Sequence, residues 1–257
     1  MARILTILGL VIMVSSLLSS PVLAQDTDWT EWARQAELAY LNGDYAQASV
    51  LYTRLIESGV RDFTVYYNAG SAYYQNGDLG LALSYFLEAQ LLNPRSQALN
   101  LNIARIRAER VDYLPESNDV VNVLGSATIT IISLRELQII TLVVWSFWFA
   151  LWGIFFISPS LRLRIRILQW VSGVLMVLFL VFMTTRMFIR EFRGVAVVTS
   201  PVIQVMSGPG EDYLPLYRLF SAAELRLDDV QDNWARFSLG DGREGWVLRD
   251  AINPLEG

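Results

Sequence analysis

The residues that the chain lacks restrict its chemistry more than those it contains. The sequence has no Cys, no His and no Lys, so every basic side chain is an arginine. This composition excludes a thiolate nucleophile, a zinc–thiolate site, an imidazole base and a Schiff-base or P-loop lysine. Carboxylate, serine and tyrosine chemistry remains, but the sequence contains no evident pairing of such groups. We therefore predict a protein that is not an enzyme and that uses no cofactor and no metal.

Two short motifs near the C-terminal end resemble ligand-binding sites in residue type but lack the structural context or the spacing that those sites need. Residues 240–245 read G-x-G-x-x-G, the spacing of a dinucleotide-binding loop. Such a loop must follow a strand and begin a helix, whereas here Asp241-Gly242 indicates a hairpin and residues 246–248 continue as a strand. The acidic residues within 228–232 lack the spacing and the glycine of a calcium loop, so we interpret them as a solvated strand end.

Charged and apolar residues are distributed unevenly along the chain. The net charge is −5, with 11 acidic residues against 7 arginines in residues 25–112 and 10 against 5 in residues 194–257. Because contacts to phosphate need cations, we predict no nucleic-acid partner. The hydrophobic fraction of 53% is high for a soluble protein, and it is concentrated in residues 4–18, 137–161 and 167–185.

The first apolar run is typical of an export signal. Met1-Ala2-Arg3 provides a short positive start, residues 4–18 are apolar, and the small side chains of residues 22–24 suit cleavage after Ala24. We predict a signal peptide over residues 1–24. The alternative is an uncleaved anchor, but this run is shorter than the roughly 20 residues that a membrane span needs.

The other two runs predict a transmembrane hairpin in contact with the lipid bilayer. Residues 137–157 and 167–185 form the two predicted spans, and neither contains an ionisable residue, which argues against a transporter or channel. The connecting loop, residues 158–166, carries three arginines and is therefore expected in the cytoplasm. Three further arginines after the second span, Arg186, Arg190 and Arg193, reduce this charge bias, so the orientation depends mainly on the signal peptide.

These features together predict a multi-pass protein of the bacterial cytoplasmic (inner) membrane. A signal peptide exports the chain that follows it, and the hairpin returns the chain to the same side. We expect both soluble parts, residues 25–136 and 186–257, on the periplasmic or extracellular side.

A fixed period of 34 residues relates two segments in the first half of the chain. Residues 29–62 and 63–96 each predict a helix–turn–helix unit, with glycine in the turn where a helix ends in the left-handed conformation. Residues 97–111 predict a further helix with an apolar face, which we interpret as a capping helix. The recurring residues are Tyr40 as Tyr74, Gly43 as Gly77, Asp44 as Asp78, Ala48 as Ala82 and Tyr52 as Phe86.

The second unit resembles a tetratricopeptide repeat nearly fully, and the first resembles one in part. The first unit has Gln35-Ala36 where Leu-Gly is usual, and Val60 in place of the closing proline. The resemblance implies an all-α domain of helical repeats over residues 25–112, although about three units are usually needed to bury a continuous core. The matching residues are Trp32, Gly43, Ala48 and Tyr52, then Tyr66, Gly70, Tyr73, Gly77, Ala82, Phe86, Ala89 and Pro94.

The resemblance also implies where a partner binds, because such repeats use the concave wall formed by their first helices. Aromatic rings give contact area at a low entropic cost, and an arginine can bind a carboxylate through two hydrogen bonds. We therefore expect an extended peptide or a protruding loop of a partner protein to bind there. The alternative is that Tyr40 and Tyr74 serve only in packing between helices. The residues predicted to form this wall are Glu37, Tyr40, Tyr67, Ser71, Tyr74 and Arg105.

The last part of the chain predicts a small all-β barrel. Short β-rich runs alternate with turn signals at residues 207–210, 232–233 and 241–242. Their order resembles bacterial SH3-like domains and covers residues 194–257. The predicted strands are residues 195–199, 202–206, 223–227, 234–239 and 245–248.

The complete arrangement is a multi-domain protein with helical repeats, two transmembrane helices and an SH3-like barrel. Residues 113–136 form a linker, with an interfacial segment at 126–134. This order resembles the BatE-type proteins of the Bat (aerotolerance) group. The resemblance implies a scaffold in a cell-envelope complex, beside membrane proteins with von Willebrand A domains and indirectly a MoxR-type ATPase, with no small-molecule substrate. The alternative is a protein that binds or senses the cell wall (peptidoglycan) through its SH3-like domain.

Overall fold

The computed structural model describes residues 26–112, 134–157, 162–192 and 194–255. The predicted signal peptide at residues 1–24 lies outside the described residues. So do nearly all of the predicted linker and the Ser-Pro-Ser part of the predicted cytoplasmic loop.

The first part of the described chain is a series of antiparallel helices joined by short turns. Asp44, Asp62, Asp78 and Ser96 each cap the helix that follows by accepting a bond from a backbone N–H in its first turn. In the turns, Gly43 and Gly77 have φ values of +78° and +85°, which a glycine adopts without strain. The helices are α1 (Asp26–Leu41), α2 (Tyr45–Glu57), α3 (Phe63–Gln75), α4 (Leu79–Leu92) and α5 (Gln97–Glu109).

Small residues allow these helices to approach closely. A Cβ atom on Gly70 of α3 would lie 2.6 Å from Cδ1 of Phe86 on α4, so the ring occupies the space that a side chain would need. Ala36, Ala48 and Ala69 are fully buried between α1, α2 and α3. Leu99, Ile103 and Ile106 of α5 are buried with Tyr66 and Leu83, among other residues, in the core of the second unit. The described chain therefore contains helical repeats closed by a further helix.

The last part is a seven-stranded antiparallel sheet with the order β3-β2-β6-β5-β4-β1-β7. Its core contains Val205, Leu219, Leu225, Phe237 and Val247. The strands are β1 (Val195–Val198), β2 (Val202–Met206), β3 (Pro215–Phe220), β4 (Glu224–Gln231), β5 (Trp234–Ser238), β6 (Glu244–Leu248) and β7 (Ile252–Pro254).

The sequence interpretation contained five of these strands and omitted β3 and β7. Both lie at the ends of the strand order, where burial on one face no longer produces a strong alternation. Each also contains a proline at a strand terminus, Pro215 or Pro254, and proline is a signal against a central strand. The predicted hairpin at Asp241-Gly242 is present between β5 and β6, and the chain continues as a strand and not as a helix.

Two long apolar helices, α6 (Leu134–Ile157) and α7 (Arg162–Phe192), pack against each other. Among the described residues, one segment, Glu136–Phe155 of α6, is long and apolar enough to be a candidate membrane span. The apolar part of α7, Arg166–Phe182, is shorter. The predicted pair of transmembrane helices is therefore supported for the first helix, and the second remains a prediction.

The repeat helices and the sheet are in direct contact. Helix α4 lies against β1 and β7, and the buried residues Val197 and Ala222 belong to the same apolar cluster as Leu83 and Ile103. No local pattern in the sequence indicates this contact, because it joins segments that are distant along the chain.

Candidate binding groove

Three helices of the repeats and the helix that closes them form a groove of about 130 Å³. On α3, Tyr67, Ser71 and Tyr74 are spaced four and three residues apart, so they lie along one face of the helix. On α5, Asn102 and Arg105 are separated by one turn and lie opposite this row. The residues that line the groove are Tyr40 from α1, Tyr67, Ser71, Tyr74 and Gln75 from α3, Phe86 from α4, and Asn102 and Arg105 from α5.

Tyr67 is held in place by contacts with three neighbouring side chains. Its ring contacts Phe63 and Phe86, with centroid distances of 5.8 and 5.7 Å. Its hydroxyl accepts a hydrogen bond of 3.2 Å from Nδ2 of Asn102. These contacts connect α3 with both α4 and α5. The floor of the groove is thus formed by rings whose orientation is set by the core beneath them.

Tyr74 lies where the groove meets the end of α5. Its hydroxyl donates a hydrogen bond of 2.7 Å to Oε1 of Glu109. This bond to a carboxylate favours the protonated phenol and raises the pKa of Tyr74, while the positive charge of Arg105 acts in the opposite direction. The phenol is therefore neutral at physiological pH and serves as a hydrogen-bond donor.

Tyr40 occupies the equivalent position of the first unit, 34 residues earlier. Its ring meets the edge of Tyr45 at a centroid distance of 5.2 Å. Burial raises the pKa of the Tyr40 phenol, so this hydroxyl also stays protonated. The groove consequently offers aromatic faces, neutral hydroxyls, amides and the Arg105 cation. These groups are suited to binding, and none of them forms a nucleophile–base pair with another.

Five of the six residues predicted for the concave wall line this groove. Glu37 does not: it is exposed on α1, one turn before Tyr40, and is separate from the groove lining. The sequence interpretation omitted Gln75, Phe86 and Asn102. Asn102 precedes Arg105 by three residues on the same helix, and this spacing is the signal that could have identified it.

A second cavity, of about 320 Å³, lies on the sheet. Arg236 donates to Oε2 of Glu244 at 3.0 Å within its lining, so the polar groups there already pair with each other. Beside it, the Arg243 guanidinium lies 5.1 Å from the centre of the Tyr217 ring. The cavity is lined by Ser207, Leu216, Arg236, Glu244, Gly245 and Trp246.

No group of three or more acidic side chains arranged to hold a metal ion occurs within the described ranges. The predictions that the protein uses no metal and no cofactor rest on the sequence composition.

Comparison with known families agrees with the helical part of this description. The family model for the tetratricopeptide repeat matches residues 63–96, the limits predicted for the second unit. No curated protein matches the chain. The chain thus combines tetratricopeptide-type helical repeats with an antiparallel β domain. Such repeats are typically non-catalytic modules that mediate protein–protein interaction.

Proposed function

We propose that the protein is a membrane-anchored scaffold that binds a partner protein in the groove between α1, α3 and α5. The observation that carries this proposal is the convergence of Tyr40, Tyr67, Tyr74 and Arg105 on one groove from three different helices. Rings held by the core give contact area without loss of side-chain freedom, and Arg105 adds charge recognition.

The size of the groove favours a segment of a partner protein over a small molecule. Its volume of about 130 Å³ is below the roughly 300–1,000 Å³ of typical small-molecule sites. An extended peptide or a protruding loop needs no enclosed cavity, because it can continue along the surface beyond the groove.

Membrane anchoring through two helices is part of the proposal. Helix α6 contains one candidate span. The parts of the chain before α6 and after α7 contact each other, so they lie on the same side of any membrane, and the number of crossings between them must be even. If α6 crosses the membrane, the second crossing is then best assigned to α7. We propose that the signal peptide directs both soluble parts to the outer face of the bacterial cytoplasmic membrane.

The resemblance to the BatE-type proteins of the Bat group supplies the class of partner. It supports a complex with membrane proteins that carry von Willebrand A domains, and indirectly with a MoxR-type ATPase. The β domain is proposed to be SH3-like.

A second candidate function is binding of peptidoglycan by the β domain. The observation that favours it is the cavity of about 320 Å³ beside Trp246, which is within the size range of small-ligand sites. Sedimentation of the purified full-length protein with peptidoglycan tests this function, and loss of sedimentation on Trp246→Ala is the expected result if it holds.

The main test compares two matched double substitutions in the full-length protein. Tyr74→Ala with Arg105→Glu alters the groove, and Tyr213→Ala with Arg218→Glu makes the same exchanges at exposed positions of the β domain. Loss of central aromatic and arginine contacts commonly costs about 2 kcal/mol or more. We expect the amount of von Willebrand A-domain protein that co-purifies with the groove variant to fall on the order of tenfold. The helical content and membrane insertion of this variant should stay normal. Loss in the sheet variant alone would contradict a groove site.

A further inference from the structure

The contact between the repeats and the β domain contains a shielded charge cluster. Arg107 of α5 donates from Nε and Nη2 to the two carboxylate oxygens of Glu224 on β4, at 2.7 Å each. Nη1 of Arg110 donates to the same carboxylate at 3.2 Å. The side chains of Arg110 and Glu224 are only 11% and 22% exposed, so solvent screens this pairing less than it would a surface ion pair.

Helix α4 forms a second contact with the β domain. Nδ2 of Asn253 donates to Oγ of Ser84 at 2.7 Å. A Cβ atom on Gly80 would lie 2.4 Å from the carbonyl oxygen of Val198, so the backbones touch at this glycine. We call the contacts made by Gly80, Ser84, Arg107 and Arg110 with the β domain the docking interface.

Two further contacts extend the docking interface. The backbone N–H of Phe220 on β3 donates to Oδ2 of Asp112, just after α5, at 2.7 Å. Val197 and Ala222 of the β domain are completely buried in the apolar cluster that includes Leu83 and Ile103. The β domain therefore contributes side chains to the repeat core in addition to binding its surface.

The docking interface and the groove lie on opposite sides of the same helices. Residues two apart on an α-helix are separated by about 200° around its axis. Arg105 lines the groove while Arg107 binds Glu224, and Phe86 lines the groove while Ser84 binds Asn253. Helices α4 and α5 therefore line the groove with one side and contact the β domain with the opposite side.

We propose that the β domain holds helix α5 in place for the groove, and that Glu224 is a positioning residue for Asn102 and Arg105. Two repeats are fewer than the about three units that usually bury a continuous core. The β domain supplies the missing neighbour by covering the outer sides of α4 and α5. The effect on partner binding rests on the proposed function. The placement of α5 by the β domain is independent of it.

Amide hydrogen exchange of the full-length protein in nanodiscs tests the positioning role. Glu224→Gln removes the charge that holds Arg107 and Arg110, and we expect exchange in α5 to rise on the order of tenfold, as a loss of about 1.4 kcal/mol implies. The matched control is Glu244→Gln, which removes the Glu–Arg pair with Arg236 on the same sheet. We expect this control to leave exchange in α5 unchanged.

A fluorine label on the ring of Tyr74 reports the groove directly. Tyr74 donates to Glu109 of α5, so displacement of α5 alters the environment of this ring. We expect the fluorine resonance to shift in Glu224→Gln and to stay unchanged in Glu244→Gln. A purely stabilising role for Glu224 would lower the unfolding midpoint without moving the resonance in the folded protein.

A reversible disulfide between the repeats and the β domain distinguishes loss of the docking interface from general loss of folding. The chain has no cysteine, so Ser84→Cys with Asn253→Cys introduces the only pair that can form a disulfide. In the Glu224→Gln background, oxidation should restore slow exchange in α5 and the original fluorine resonance, and reduction should remove both. Unchanged exchange and resonance in Glu224→Gln would overturn the proposal. This result would overturn it whichever partner the groove binds.

Discussion

Arg107 and Glu224 are 117 residues apart in the chain and are joined by two parallel hydrogen bonds of 2.7 Å. The two long apolar helices lie between them in sequence. If α6 and α7 span a membrane, as we propose, a direct bond between these residues requires the repeats and the β domain to occupy the same side of it. The pair therefore relates the topology of the chain to the placement of the binding groove.

The first prediction concerns this topology. Single cysteines at Ser58 and Ser207, both exposed, should react with an impermeant thiol reagent in intact cells, because both soluble parts are expected outside. A cysteine at Ser160, in the predicted cytoplasmic loop, should react only after permeabilisation. Labelling of positions 58 and 207 from opposite sides would contradict both the hairpin and the docking interface.

The second prediction concerns the helix that closes the repeats. Ile103 is buried in the cluster shared with the β domain, so Ile103→Ala should lower the free energy of unfolding by about 2–4 kcal/mol through cavity formation. Leu101→Ala, on the same helix but 63% exposed, is the control and should change it by less than about 0.5 kcal/mol. Equal effects in denaturant titrations followed by circular dichroism would show that α5 does not cap the core.

The third prediction concerns close approach at the docking interface. Gly80→Ala places a methyl group 2.4 Å from the Val198 carbonyl oxygen, so we expect a loss of about 1–3 kcal/mol from overpacking. Gly153→Ala in α6, where nothing lies within 4 Å, is the control. It should be neutral or slightly stabilising, because alanine has a higher helix propensity than glycine. A stabilising effect of Gly80→Ala in thermal unfolding would exclude the backbone contact.

The fourth prediction concerns high pH. Burial raises the pKa of Tyr85 from its ordinary value of about 10 to about 12, and the hydrogen bond with Thr53 opposes this only in part. Between these two pH values the unfolded phenol has lost its proton and the folded phenol keeps it. Stability is therefore fully present below pH 10 and falls by on the order of 2 kcal/mol as the pH rises to about 12.

The control for this effect is Tyr85→Phe. Other tyrosines also titrate in the same range, so the difference between the two proteins isolates the Tyr85 contribution. Midpoints of unfolding measured from pH 9 to 12 should fall less steeply for the phenylalanine variant. Parallel curves would show that the Tyr85 phenol is not buried.

Local signals account for what the sequence predicted well. Gly77 and Asp78 end one helix and cap the next within two adjacent residues, so the turn, its period and the repeat could be recognised from short spacings. Tyr67, Ser71 and Tyr74 were named for the concave wall through the resemblance to tetratricopeptide repeats, and the structure places all three along one lining of the groove. Glu37 was placed in the groove by analogy between repeats, but the first unit departs from the repeat pattern.

Contacts between distant segments account for what the sequence did not predict. Arg107 lies two residues after Arg105 on the predicted capping helix, and only the fold brings Glu224 to it. Strands β3 and β7 lie at the sheet edges, where neither burial nor alternation distinguishes them from loops. Val197 gives no sign in the sequence that it completes a helical core rather than only the core of its own sheet.

The measurement that tests the central claim most directly is photocrosslinking in living cells. A benzophenone amino acid at Tyr74 lies in the groove, and the same amino acid at Tyr213 is exposed on the β domain. Irradiation should give a covalent adduct between the position-74 protein and an envelope protein with a von Willebrand A domain, and Arg105→Glu should abolish that adduct. Adducts from position 213 without any from position 74 would contradict the groove as the partner-binding site.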